Sequence, residues 1–179
     1  ITPKTENEIV QEWRRGIRLL QAAGYEWYEV SNFAFPGKEC QHNLRYWHLL
    51  PYLGCGPGAS STLFAGNLPV RIETGRDILQ FCAGRKTSGL LWNASVCMLD
   101  TEEYLLEYLL MGLRLRRGIE LQDFASRFGE RVSNRFTALA GENRYRGLLS
   151  VDSDTVRCTD SGIEILDTLL VQIALELGN

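Results

Sequence analysis

The run Gly54-Cys55-Gly56-Pro57-Gly58-Ala59 restricts the folds open to this chain more than any other segment. Gly54-x-Gly56-x-x-Ala59 has the spacing of a dinucleotide-binding turn, and Glu73 lies 19 residues after Gly54, near the place of a ribose-binding acid. Such a turn must open a helix that crosses back to a parallel strand. That crossover takes a dozen or more residues. Only ten residues lie between Ala59 and Val70, and Gly66 and Pro69 interrupt them. The dinucleotide reading is therefore rejected. A glycine-rich turn remains, in which missing side chains at Gly56 and Gly58 let backbone approach a ligand, or form a tight turn with no ligand at all.

Periodicity around this loop predicts mixed elements. Ile9, Trp13, Ile17 and Leu20 fall on one face of a helix over 6–23, and Gly24 stands where such a helix stops. Tyr25 to Val30 reads as a short strand, broken by Pro36-Gly37. Arg45 to Leu53 reads as a second strand ending at the glycine loop. Val70 to Glu73 reads as extended, Asp77 as the cap of a brief helix through Cys82, and Gly84 to Asn93 as a loop.

A boundary is expected near Asp100, where Asp100 and Glu103 have the spacing of a capping box. Helices follow to about Leu113, from Leu121 to Phe128 and from Glu130 to Ala140. Leu148–Val151 and Val156–Cys158 flank Asp152-Ser153-Asp154 as a hairpin. A last helix carries Ile163, Leu166, Leu170, Ile173 and Leu177 at alternating spacings of three and four. Three helices, a hairpin and a helix suggest a winged-helix-like unit over 99–179, after a helix–strand segment over 1–98. The fold class expected is α/β.

Charge and cysteines narrow the function. Residues 1–98 hold 10 Lys+Arg and 8 Asp+Glu, while residues 99–179 hold 9 and 14. An acidic second half argues against a duplex-binding face, which must be basic. Arg114, Arg116 and Arg117 are the one basic cluster there, and read better as a surface patch or interdomain contact than as a DNA site. Cysteines 40, 55, 82, 97 and 158 form no CxxC or CxxxC. No zinc or iron–sulfur site follows from them, and their scatter fits reduced cytosolic thiols. No stretch approaches the roughly 20 apolar residues of a membrane span. The opening at Ile1, straight into a helical pattern, suggests a cut through a larger protein.

Tyr28-Glu29-Val30-Ser31-Asn32-Phe33-Ala34, then His42-Asn43-x-x-Tyr46-Trp47, then the glycine loop together resemble radical SAM proteins related to oxygen-independent coproporphyrinogen III oxidase. The HNxxYW pattern is that of the branch regarded as haem chaperones (HemW-like). Leu110 to Leu115 followed by Gly118-Ile119 resembles the C-terminal domain of the same family. The resemblance implies that 1–98 is the C-terminal segment of a partial β/α barrel. It also implies a cytoplasmic protein that handles haem or porphyrin and passes it to an acceptor protein. Full-length relatives hold a [4Fe–4S] cluster, on a CxxxCxxC motif, and S-adenosylmethionine. This chain contains no CxxxCxxC, so alone it is expected to be inactive.

For the residues, the resemblance implies haem binding by His42, Asn43, Tyr46 and Trp47, with His42 as iron ligand. A neutral imidazole ligates haem iron, flat Tyr and Trp side chains cover a porphyrin, and Asn43 could orient the imidazole. The bland alternative has His42 and Asn43 tying down a turn and Trp47 packing into the barrel. The resemblance also places Gly56, Gly58, Ala59 and Ser60 against S-adenosylmethionine. Family members usually carry histidine where Ser60 stands. Glu29 and Asn32 fall at a strand end, where a solvated or hydrogen-bonded Glu29 is expected. Two rival functions remain: a coproporphyrinogen III dehydrogenase fragment, whose chemistry is oxidative decarboxylation of propionates, and a winged-helix DNA-binding regulator.

Overall fold

The computed structural model describes residues 4–84 and 94–177. They form two compact units, one made of residues 1–47 with 109–179 and the other of residues 48–108. These units do not coincide with the 98/99 division expected from the sequence. Most of the loop expected between Gly84 and Asn93 lies outside the described residues.

In the first unit, α1 (Glu6–Ala22) opens on a reciprocal capping box. The Thr5 amide donates to the Glu8 carboxylate at 2.8 Å and the Glu8 amide to Thr5 Oγ1 at 3.3 Å. Gly24, at φ +87°, lets the chain leave the helix. Of the apolar stripe, Ile17 is buried and Trp13 meets Trp27 edge to face at 5.2 Å, while Ile9 stays exposed. β1 (Glu26–Glu29) and β2 (Asn32–Ala34) make a tight antiparallel hairpin with Trp27 opposite Phe33.

α2 (Gln41–Trp47) follows. The strand expected over Arg45–Leu53 is thus corrected: its first residues are helical. The Leu44 amide donates to the Cys40 carbonyl at 3.0 Å, and the helix is closed off by Leu49 at φ +48° and by Pro51. Aromatic and β-like residue types suggested extension here, but a seven-residue helix is decided by what it packs on.

The rest of this unit holds β6 (Ile119–Glu120), α5 (Leu121–Phe128), α6 (Glu130–Ala140), β7 (Leu149–Val151), β8 (Thr155–Cys158), α7 (Asp160–Glu164) and α8 (Leu166–Leu177). The sheet runs in the order β6-β8-β7, all antiparallel, with Val151 opposite Val156 and Leu149 opposite Cys158. Phe124, Phe136, Val156, Leu169 and Ile173 are fully buried, and the two phenyl rings lie 5.1 Å apart. The single C-terminal helix expected is two helices. Thr159 caps α7 through the Gly162 amide, and Ile165 at ψ +25° ends it. The apolar residues keep helical spacing across the break, so their pattern does not reveal it.

In the second unit, β3 (Ser60–Ala65) and β4 (Leu68–Glu73) form a hairpin, β5 (Ser95–Met98) adds to β4, and α3 (Ile78–Gly84) is capped by Asp77. Gly66, at φ +63°, fills the first turn position, where a two-residue hairpin favours glycine. α4 (Thr101–Gly112) starts on the expected box, with Asp100 and Glu103 exchanging amide–carboxylate bonds of 2.9 Å each. The molecule is mixed α/β, and every pairing between these named strands is antiparallel. No helix among the described residues is long and apolar enough to cross a membrane.

Candidate functional site

The HNxxYW residues lie on α2, in the first unit. His42 is exposed, whereas Asn43, Tyr46 and Trp47 are half-buried. His42 and Tyr46 are one turn apart on the same face. The Tyr46 hydroxyl lies 2.7 Å from His42 Nε2, with the rings edge to face at 4.9 Å. The partner of the imidazole is therefore Tyr46 rather than Asn43. Trp47 packs beneath the Arg114 guanidinium, whose carbon lies 4.8 Å from the ring centre.

Arg114 belongs to the stretch between α4 and β6, which runs alongside β1. Leu115 bridges Glu29, and the Arg116 amide donates to the Tyr28 carbonyl at 3.0 Å. Arg114 and Arg116 flank Leu115 at this bridge, in backbone that is otherwise turn. Arg114 faces Glu29 at 3.8 Å. Arg116 stacks on Trp27 at 4.4 Å and pairs with Asp160 at 2.6 Å. The basic cluster is thus largely an internal tie, and only Arg117 of the three is fully on the surface.

Glu29 is wholly buried, so the solvated alternative is corrected. One carboxylate oxygen accepts from the Ser31 amide at 3.0 Å and from the Asn32 side chain, closing the β1–β2 turn. The other oxygen has no hydrogen-bond partner, nor has Trp47 Nε1 or Arg114 Nε. Three unpartnered buried polar atoms meet around one ion pair. Nearby, burial pushes the Tyr28 hydroxyl above its ordinary value against the opposing effect of a hydrogen bond with the Cys40 backbone, and the charges of Cys40, Glu29 and Glu39 add to the rise. The sequence singled out Arg114 within its basic cluster, but nothing in the spacing paired it with Glu29.

The glycine loop lies in the second unit and is described by itself. It leads into strand β3, in keeping with rejection of the dinucleotide fold. Thr74 staples it: its hydroxyl donates to the Gly56 carbonyl at 2.6 Å and accepts from the Ala59 amide at 2.9 Å. The Gly58 amide donates to Gly75, and Ala59 also pairs with the Thr74 amide. Gly56 and Gly58 sit at φ +108° and +68°. A Cβ at Gly56 would meet nothing within 4 Å, whereas one at Gly58 would press on Arg76 at 3.2 Å. The open side of the loop is therefore at Gly56. Ser60 is half-buried opposite Glu73.

As for occupants, the exposed imidazole and flanking rings suit a flat apolar cargo with a metal to ligate. The loop offers backbone approach at Gly56. Among the described residues, no group of three or more His, Cys, Asp or Glu could hold a metal ion. Cys40, Cys55, Cys82 and Cys97 are exposed thiols and Cys158 is buried.

Residues 99–165 match the HemN C-terminal domain. The chain is 37% identical over 112 residues to the heme chaperone HemW of Synechocystis sp., a match covering 60% of this chain and 25% of that protein. It is 32% identical over 191 residues to the mitochondrial radical S-adenosyl methionine domain-containing protein 1 of Bos taurus, covering 98% of this chain and 41% of the relative. The chain thus spans well under half the length of these relatives. Among solved structures, the radical SAM enzyme coproporphyrinogen III oxidase (HemN) of Escherichia coli aligns with a TM-score of 0.63 over 99% of this chain and 42% of its own, at 17% identity. That likeness is one of fold.

Proposed function

Because the chain belongs to the family of HemN and the heme chaperone HemW, we propose that it is the haem-handling C-terminal portion of a radical SAM haem chaperone. The observation that carries this reading is the HNxxYW helix, which presents an exposed imidazole beside two half-buried aromatic rings. In the proposal, His42 supplies the iron ligand. Tyr46 and Trp47 offer apolar surface to the porphyrin, and Asn43 lines the same helix. Haem is the cargo, taken up here and passed to an acceptor protein in the cytosol or its organellar counterpart.

Residues 1–98 are assigned as the last segment of a radical SAM barrel, which the α1–β1 succession and the fold likeness to HemN support. Residues 99–179 are assigned as a winged-helix-like domain. The order helix, β6, two helices, then the β7–β8 hairpin supports this, as does a family match that starts at residue 99. Gly56, Gly58, Ala59 and Ser60 are assigned to the S-adenosylmethionine loop of the whole protein. S-Adenosylmethionine cleavage needs an electron from a [4Fe–4S] cluster, and the ligands CxxxCxxC are absent from this sequence. The chain alone should therefore not form 5′-deoxyadenosine.

Titration with haemin, and separately with duplex DNA, tests the reading. Saturable haemin binding with no DNA binding is expected. DNA binding without haemin binding would instead favour a winged-helix regulator. Arg114 and Arg116, already paired with Glu29 and Asp160, speak against that.

A further inference from the structure

We propose that Tyr46 sets how tightly the chain holds haem, by competing with the iron for Nε2 of His42. The proposal rests on the reading of His42 as iron ligand. A hydroxyl can donate or accept, and so can an imidazole nitrogen according to tautomer, so the hydrogen lies on either side of the contact. In either case the 2.7 Å contact places the Tyr46 hydroxyl against Nε2, where an iron would have to bind. Nε2 is the outer ring nitrogen, the one that can reach a macrocycle laid along the helix; Nδ1 is hindered by its own backbone. Nε2 cannot serve both partners, so ligation exchanges its hydrogen bond with Tyr46 for a metal–nitrogen bond.

The geometry makes that exchange local. His42 is exposed and can turn about its side-chain torsions without disturbing α2, whereas Tyr46 is half-buried and keeps its place. Haem affinity is lowered by the net worth of an exposed hydrogen bond, and departing haem is replaced by a partner already in position. Both effects suit a carrier that must give up its cargo.

Tyr46→Phe removes the hydroxyl and keeps the ring. Haemin titration of the full chain, read by Soret absorbance, should show the wild-type ferric spectrum. Binding should be about two- to tenfold tighter, with haem lost to a scavenging apo-globin more slowly by a similar factor. In a His42→Ala background the same substitution should change nothing. Unchanged or weaker binding by Tyr46→Phe, with the wild-type spectrum, overturns the competition and leaves His42 as ligand. A wild-type spectrum in His42→Ala overturns the ligand assignment and the competition with it. Loss of the ligand signature in Tyr46→Phe itself would make the tyrosine oxygen the ligand and overturn both.

Discussion

The guanidinium of Arg114 lies over Trp47, the last residue of the HNxxYW helix, with its carbon 4.8 Å from the ring centre. The same group reaches toward Glu29, the buried carboxylate that closes the β1–β2 turn, at 3.8 Å. One side chain thus joins the helix that carries the candidate ligand to the hairpin before it.

Removing Arg114 should be costly because Glu29 would remain buried without a cation. Breaking a buried pair costs about 3–5 kcal/mol, and the partial exposure of Arg114 puts the expected loss for Arg114→Ala near about 3 kcal/mol. In a Glu29→Gln background the same substitution should cost much less. Urea unfolding of the two single variants and the double variant gives the coupling. Additive losses would mean that the pair contributes nothing.

Thr74 should hold the glycine loop. Thr74→Val keeps the shape but removes the hydroxyl that bonds the Gly56 carbonyl and the Ala59 amide. The two part-buried backbone groups then keep only the long 3.4 Å bond they make with each other, at about 1–3 kcal/mol each at most. Amide exchange at Ala59 should quicken. Wild-type exchange there would show that the hydroxyl does not organise the loop.

Much of this arrangement was legible in the residues, and the failures have physical causes. Caps and turns are local chemistry, so the Asp100–Glu103 box, the Asp77 cap and the hairpin around Ser153 were found where expected. Arg45 to Trp47, the end of α2, were read as the start of a strand because Tyr46 and Trp47 favour strands as types, while in the helix Trp47 packs under Arg114, distant in sequence. β3 was missed because Ser60, Ser61 and Thr62 give a weak apolar pattern, although the latter two are buried. The break at Ile165 was hidden because burial keeps the same spacing on both sides of it. For the candidate site, the motif located the imidazole, but neither its Tyr46 partner nor the buried Glu29–Arg114 pair follows from spacing.

Cys158 should be the unreactive thiol. It is buried, and burial pushes its pKa up to about 12 despite the opposing pull of Arg116. Iodoacetamide near pH 8 should alkylate Cys40, Cys55, Cys82 and Cys97 in the native chain, and Cys158 only after denaturation. Equal labelling of all five cysteines would place Cys158 at the surface.

The Arg14–Glu164 pair ties α1 to α7 and should make that contact acid-sensitive. The Arg14 guanidinium holds the Glu164 carboxyl below its ordinary value of 4.5 through a bidentate contact of 2.5 and 2.6 Å. A carboxylate depressed on folding stabilises the protein above its unfolded pKa, and the gain is lost as pH falls through the folded value. Glu164→Gln should therefore reduce stability at pH 7 and close the gap to wild type below about pH 4. A gap that persists in acid would assign the effect to packing.

The electronic spectrum of the haemin complex tests the central claim most directly, because it reports what ligates the iron. The chain has two histidines, and only His42 lies in the HNxxYW pattern. His42→Ala should shift the Soret band, while His48→Ala should leave it where the wild-type chain has it. A wild-type Soret band in both variants would contradict ligation by His42, pass the role to a thiolate such as Cys40 or Cys55, and remove the haem site from α2.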